Sequence, residues 1–551
     1  MSYNLRRPAA LAGVLCLAVA ARLAAQAPAA RIDSIFAFAR DTTPGCAVSA
    51  MRDGAVLYTK GYGIADFEHN APISPETVFY LASVSKQFTA AAINLLALDK
   101  KLSLDDDVRK YVPELPVYQR PITIRQLVHH TSGLRDYLEL FDMAGLDDYP
   151  ITNTDFLAMM GRQRALNFAP GDAYSYSNSG YVLLTIVVER ITGKPIRAFA
   201  EERIFRPLGM TSTVFRDRHT MLIRNLATAY GRAPGGPWNL AVPYFDVVGD
   251  GGLMSSVSDL AKWEANWWRP QVGGAQWLEL EKERGRLRDG TLLSYGAGLG
   301  HAVYRGDSVV AHGGGFGGYN TYLMRFPARR FSVAVLCNSA MAPSSQLAQR
   351  VADVFLGDVL AAAVTTNGSG SAAPARIALD PARLAGYTGT YFNASTVLVR
   401  RLVADSGRLY YSRGPGNRSE LIPVAEGKFQ MAGTDVVVTI PEGKRTVQLD
   451  IPGDPPLVLS RVAPFAGGSL AGLGGSYYSS DLRTTITLAP RESVLVVTPE
   501  RGSSITFTPV FADAFSAGFY FMQVVRAGGR VTGLTVSGGE RARRVRFDKQ
   551  P

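Results

Sequence analysis

The chain has 551 residues, 47% of them hydrophobic and 19% charged, which excludes a disordered or fibrous protein and is too long for a single core. Its net charge of +11 favours anionic surfaces, the cell envelope among them. The positive side chains are nonetheless spread along the chain, with no basic run interleaved with aromatics, which argues against nucleic acid as a partner.

Arg6 and Arg7 precede an apolar stretch from Ala9 to Ala21, too short to span a bilayer, and Ala25-Gln26-Ala27 offers an A-x-A cleavage site. Residues 1–27 therefore read as a signal peptide, and the mature chain as periplasmic or secreted. No later segment has the length of a transmembrane helix. Of the three cysteines, Cys16 falls in this leader. Cys46 and Cys337 lie in apolar strand-like runs and are expected as two separate buried thiols, because a core this size does not depend on a disulfide. Pairing would require those two strands to be neighbours.

Ile32, Ile35, Phe36 and Ala39 fall on one helical face. Two strands follow in CAVSAMRDGAVLYTKGYGIAD, joined at Arg52-Asp53-Gly54. Then comes Ser83-Val84-Ser85-Lys86, an S-x-x-K tetrad opening a run of good helix formers. A helix starting near Ser83 puts Lys86 one turn on along the same face, at the positive end of the macrodipole. Apolar surroundings would lower the amine's pKa and let it take the proton from Ser83. An ordinary helix cap with a surface lysine is the bland alternative.

Short helices broken by prolines occupy Leu102 to Leu127, and His129-His130-Thr131-Ser132-Gly133-Leu134 ends them in a turn. Gly171 to Ile186 begins as a polar loop and becomes an apolar helix, carrying Tyr176-Ser177-Asn178. A phenol beside a lysine can have its pKa lowered and relay a proton, and the Asn178 amide can hold Lys86 or a substrate carbonyl. Gly249 to Trp263 is a glycine loop entering a helix that Ser256 or Ser258 could cap. All five tryptophans lie between Trp238 and Trp277, either lining an apolar cleft or, the commoner reason, packing against helices.

Strand-like runs around Asp307 to Ala311, Tyr319 to Phe326 and Phe331 to Cys337 surround His312-Gly313-Gly314. Glycines there would let a substrate backbone lie along the strand edge. The amides of Ser83 and Gly315 could hold an oxyanion. A plain glycine turn with an incidental histidine is the alternative. With a closing helix over Gln346 to Leu360, these segments predict one α/β domain over 31–360, its antiparallel sheet closed by elements from both ends around a helical middle. The six histidines show no H-E-x-x-H or other metal-ligand spacing, so no metal is expected.

The small-residue stretch 361–376 reads as a linker. Beyond it, Leu384-Ala385-Gly386, Pro423 and Phe429 recur as Leu470-Ala471-Gly472, Pro509 and Phe515, each 86 residues on (384 to 470, 423 to 509, 429 to 515). This constant offset predicts two copies of one β-rich module, 377–463 and 467–551, built as an antiparallel meander or small barrel. Neither copy carries a nucleophile with a partnered base, and no G-x-S-x-G elbow occurs in the chain.

S-x-x-K at Ser83, Y-x-N at Tyr176 and H-x-G at His312, in that order, resemble the serine penicillin-recognising hydrolases: class C β-lactamases, DD-peptidases, D-aminopeptidases and family VIII-type esterases. LVHHTSGL, PGDAYSYSNSGYVLL and GGLMSSVSD add to the likeness, which covers about residues 31 to 360. It implies an α/β β-lactamase/transpeptidase-like domain with a helical subdomain ahead of the two barrel-like modules, and no cofactor. It further implies Ser83 as acylated nucleophile, Lys86 as its base, Tyr176 as proton relay, Asn178 as orienting group and His312 in place of the third-motif lysine, with Gly314 and Gly315 against the substrate. The layout looks like that of D-aminopeptidases, in which a barrel loop shapes the cleft; the sequence does not reveal the loop.

Histidine is mostly neutral near pH 7, so weak carboxylate recognition is expected. Hydrolysis of peptides, amides or esters, D-amino-acid ones above all, ranks above β-lactamase activity. The other alternative is a non-catalytic, penicillin-binding-like protein whose modules bind a cell-envelope polymer.

Overall fold

The two ends of the first domain build one sheet. Its eight antiparallel strands run, edge to edge, Arg284–Arg286, Leu292–Gly296, Gly300–Tyr304, Asp307–Phe316, Tyr319–Phe326, Phe331–Cys337, Cys46–Arg52 and Ala55–Tyr62. The computed structural model describes residues 28–146, 150–233, 235–241, 245–361, 377–414, 417–432, 434, 436–441, 443–451, 455–467 and 470–551. The expected signal peptide and all but the first residue of the expected linker lie outside them. At the first hairpin, Asp53 and Gly54 take φ of 53° and 79°, the paired left-handed conformation that a two-residue hairpin needs and Asp-Gly supplies.

The register sets Cys46 directly opposite Cys337, and the two form a disulfide. This corrects the expectation of separate thiols. The strands that carry them are 291 residues apart in sequence but adjacent in the sheet, an adjacency that no local pattern displays.

Helix Ser344–Leu356 and the helical segment 28–35 cover one face of the sheet, burying Leu347, Val351, Ile32 and Phe36 with Val48, Val333 and Val335. Helix Val257–Trp268 lies against the other face, its N-terminus capped by Ser256, whose Oγ accepts the Asp259 N–H at 3.2 Å. Behind it, helix Lys86–Leu98 is buried from Lys86 to Leu96. Helices Asn178–Thr192 and Gly274–Lys282 pack around it, which is why its sequence is apolar on every side.

Two closed eight-stranded barrels follow, Gly389–Asn393 through Leu457–Val462 and Gly475–Ser479 through Ala542–Lys549. The first barrel's core closes on itself, whereas that of the second, with Leu488, Leu534 and Phe547, is continuous with the first domain's. Buried Arg135 ties the two together. It donates to Asp481 Oδ2 at 2.9 Å and to the carbonyls of Arg543 and Arg544 at 3.1 Å each. The first barrel meets the second through Phe392, stacked 5.2 Å from Phe521, and through the Ser395 carbonyl, which accepts from Arg543 at 3.0 Å. Among the described residues no helix is long and apolar enough to cross a membrane.

Candidate active site

Ser83 sits in a 3-10 turn, Ala82–Ser85, that runs directly into helix Lys86–Leu98. The residue before it, Ala82, has φ 47°, a left-handed conformation costly for a residue with a Cβ and concentrated at functional sites. Lys86 is 0% exposed, which removes the surface-lysine alternative. Its Nζ donates to Ser83 Oγ at 3.2 Å, Asn178 Oδ1 at 2.8 Å and the Asp250 carbonyl at 2.6 Å. Burial, helped by the Arg541 charge and opposed by Asp250 and Asp136, pulls its pKa down to about 8, because desolvation penalises the ammonium form.

Asn178 opens helix Asn178–Thr192. Its amide N–H donates to Asp136 Oδ2 at 2.7 Å, so buried Asp136 fixes the helix start and with it the Asn178 side chain. Tyr176 lies two residues before, its ring centroid 4.8 Å from Lys86 Nζ. The expected lowering of the Tyr176 pKa is reversed: burial raises it, outweighing the Ser83 hydrogen bond and the Arg541 charge that pull it down. The phenol is therefore protonated at neutral pH and can give a proton rather than take one.

His312 and the glycines after it continue the strand Asp307–Phe316 instead of forming a turn, which comes at Gly317 and Gly318. Gly314 is held where a Cβ would stand 2.2 Å from the Leu81 carbonyl and 3.0 Å from the Ser83 amide nitrogen. Only glycine lets the strand press this closely on the nucleophile turn. Gly315 has open space beside it and lines the cleft. His312 Nδ1 donates to the Gly313 carbonyl at 2.6 Å, leaving Nε2 to accept from the Tyr295 hydroxyl at 3.0 Å. Burial and the Lys86 charge lower its pKa to about 4, so the imidazole is neutral at physiological pH.

Ser83, Tyr176, Asn178, His312 and Gly315 line one cleft of about 340 Å³, walled by Tyr80, Tyr137, Leu138, Phe245, Val247 and Phe316 and lined further by Asp250 and Arg541, with Lys86 buried behind Ser83. The tryptophans line no part of it. Trp263 and Trp277 are buried edge to face, 5.5 Å apart, which is the packing reading.

Sequence reasoning gave no role to four residues that shape this site. The His130 ring lies 4.3 Å from that of Tyr176 and 4.7 Å from that of Tyr295, and its Nδ1 accepts the Ser177 N–H at 3.1 Å; the paired histidines of HHTSGL were its only signal. Tyr295 braces His312, and Asp250 backs Lys86 while accepting from the Tyr137 hydroxyl at 3.1 Å. Arg541 arrives from the last turn of the second barrel, its guanidinium carbon 5.0 Å from the Tyr176 ring centroid.

The β-lactamase family model matches residues 22–355. The chain belongs to this family. It is 30% identical over 419 residues to penicillin-binding protein 4* of Bacillus subtilis, covering 72% of this chain and 90% of that protein. It is also 28% identical over 549 residues to a D-aminopeptidase of Cereibacter sphaeroides, covering 92% of this chain and 95% of that one, barrels included. Among solved structures, the octameric penicillin-binding protein homologue from Pyrococcus abyssi superimposes with a TM-score of 0.53 at 25% identity, over 76% of this chain and 96% of that one. As a family member with this architecture, the chain is a serine hydrolase of the β-lactamase fold.

Proposed function

We propose an exported hydrolase that cleaves D-amino-acid peptides and amides, or small esters, through an acyl-enzyme on Ser83. The observation that carries this reading is the fully buried Lys86 amine, its Nζ 3.2 Å from Ser83 Oγ. Neutral Lys86 takes the Ser83 proton as Oγ attacks the carbonyl carbon, and the amides of Ser83 and Gly315 receive the charge that develops on the carbonyl oxygen. The Tyr176 phenol then protonates the leaving amine or alcohol and recovers its proton through Lys86. Water repeats the sequence on the acyl-enzyme, restoring Ser83. Asn178 keeps Lys86 aimed throughout.

The relatives named D-aminopeptidase support the substrate class. The Cys46–Cys337 disulfide supports an oxidising compartment, in keeping with the leader at 1–27. The test compares wild type with Ser83→Ala on D-aminoacyl amides, D-Ala-D-Ala peptides, short acyl esters and nitrocefin. A loss of about 10³-fold or more is expected, and equal rates would remove the reading. Nitrocefin turnover faster than that of every amide and ester would move β-lactamase to first place.

A further inference from the structure

Resting on that reading of the site, we propose that Arg541 anchors a free carboxylate on the leaving-group side of the substrate. A third-motif cation would do this, and the neutral His312 cannot. The preferred substrates are then peptides or esters whose departing half ends in a carboxylate.

The placement carries it. Arg541 lies in the turn between strands Arg530–Gly538 and Ala542–Lys549 of the second barrel and lines the same cleft as Ser83. It stands over the ring of Tyr176, the phenol that protonates the departing group, so it faces that half of the substrate rather than the acyl half. The guanidinium presents a planar fork of donors that fits a carboxylate through two parallel hydrogen bonds.

It is also available and held in position. The nearest carboxylate, that of Glu139, lies 3.8 Å away, and the Arg541 side chain keeps 44% exposure. Burial and the Asp136 charge push the Glu139 pKa up to about 7, so near neutrality this neighbour carries only part of a counter-charge. The backbone is pinned to the catalytic domain. The Arg541 carbonyl accepts from the Asp136 N–H at 2.9 Å and from Asn167 Nδ2 at 2.7 Å, while Asn167 Oδ1 accepts the Arg543 N–H at 2.8 Å. Asp136 in turn holds the start of the Asn178 helix, so one residue connects the barrel turn to the catalytic loop. A pre-positioned cation loses little entropy on binding.

The test uses the full-length chain and two esters of one acyl group, the 3-carboxyphenyl and the 3-carbamoylphenyl, which differ in leaving-group charge and little else. Wild type is expected to favour the carboxylate ester in kcat/KM by about tenfold or more, mostly through KM. Arg541→Ala and Arg541→Gln should bring the ratio close to one, and Arg541→Lys should recover part of it. A merely structural role would lower both rates together and leave the ratio alone. A wild-type ratio near one, or an unchanged ratio in Arg541→Ala, would overturn the anchor while Ser83-dependent turnover of both esters left the hydrolase reading standing. Turnover undiminished in Ser83→Ala would instead remove the hydrolase reading, and the anchor with it.

Discussion

In the first barrel the Tyr391 hydroxyl donates to the carbonyl of Tyr387 at 3.0 Å; in the second, Tyr477 donates to the carbonyl of Leu473 at 2.9 Å, the same bond 86 residues later. Pro423 pairs with Phe429 in one and Pro509 with Phe515 in the other. The copies diverge at their last turn. Arg541 in the second corresponds, by the same offset, to Pro455 in the first. Duplication has thus kept the positions that packing dictates and released the turn, whose residues answer to whatever lies beyond the barrel. For the second copy that neighbour is the cleft.

The largest test of this asymmetry is Arg135→Ala. Removing a buried guanidinium leaves Asp481 and two carbonyls without their donor, an expected loss of about 3 kcal/mol or more, read by urea or thermal unfolding. Within the first β module, by contrast, Arg383→Ala breaks an exposed pair with Glu426 and should shift stability by no more than about 0.5 kcal/mol.

Asn167→Ala removes both side-chain bonds to the Arg541 turn and should cost about 1–3 kcal/mol. It should also lower the carboxylate-to-carboxamide preference, because the guanidinium is no longer held in place. Tyr391→Phe and Tyr477→Phe each delete one equivalent bond, and each should cost about 1 kcal/mol. Clearly unequal losses would mean that the copies are not energetically alike.

The smallest effect concerns pH. With the Lys86 pKa lowered to about 8, kcat/KM should rise with pH through that value as the amine loses its proton, with no limb from His312, neutral above about 4. Arg541 is one of the charges lowering the Lys86 pKa. Deleting this cation favours the ammonium, so Arg541→Ala should move the midpoint upward by a fraction of a unit. Substitutions in the first barrel should leave it in place.

What the sequence showed was what chemistry writes locally. The Ser83–Lys86 spacing is one helical turn, the Tyr176–Asn178 spacing is one loop entering a helix, and Asp53-Gly54 specifies its own hairpin. The 86-residue repeat foretold two similar β modules because identical cores demand identical residues. The Cys46–Cys337 bond, the Tyr295 hydroxyl on His312 and the Arg541 turn depend on strands and domains meeting across hundreds of residues, and no period records them. The Tyr176 pKa departs upward from the motif-based expectation for a related reason. A neighbouring amine can be inferred from a motif, but the burial that outweighs it is a property of the assembled cleft.

The most direct measurement is mass spectrometry of the intact protein, quenched during turnover of a slowly deacylated ester. The expected result is a wild-type chain heavier by one acyl group, carried on the peptide containing Ser83, with no gain in Ser83→Ala. Turnover without an adduct, continuing at the same rate in Ser83→Ala, would contradict it.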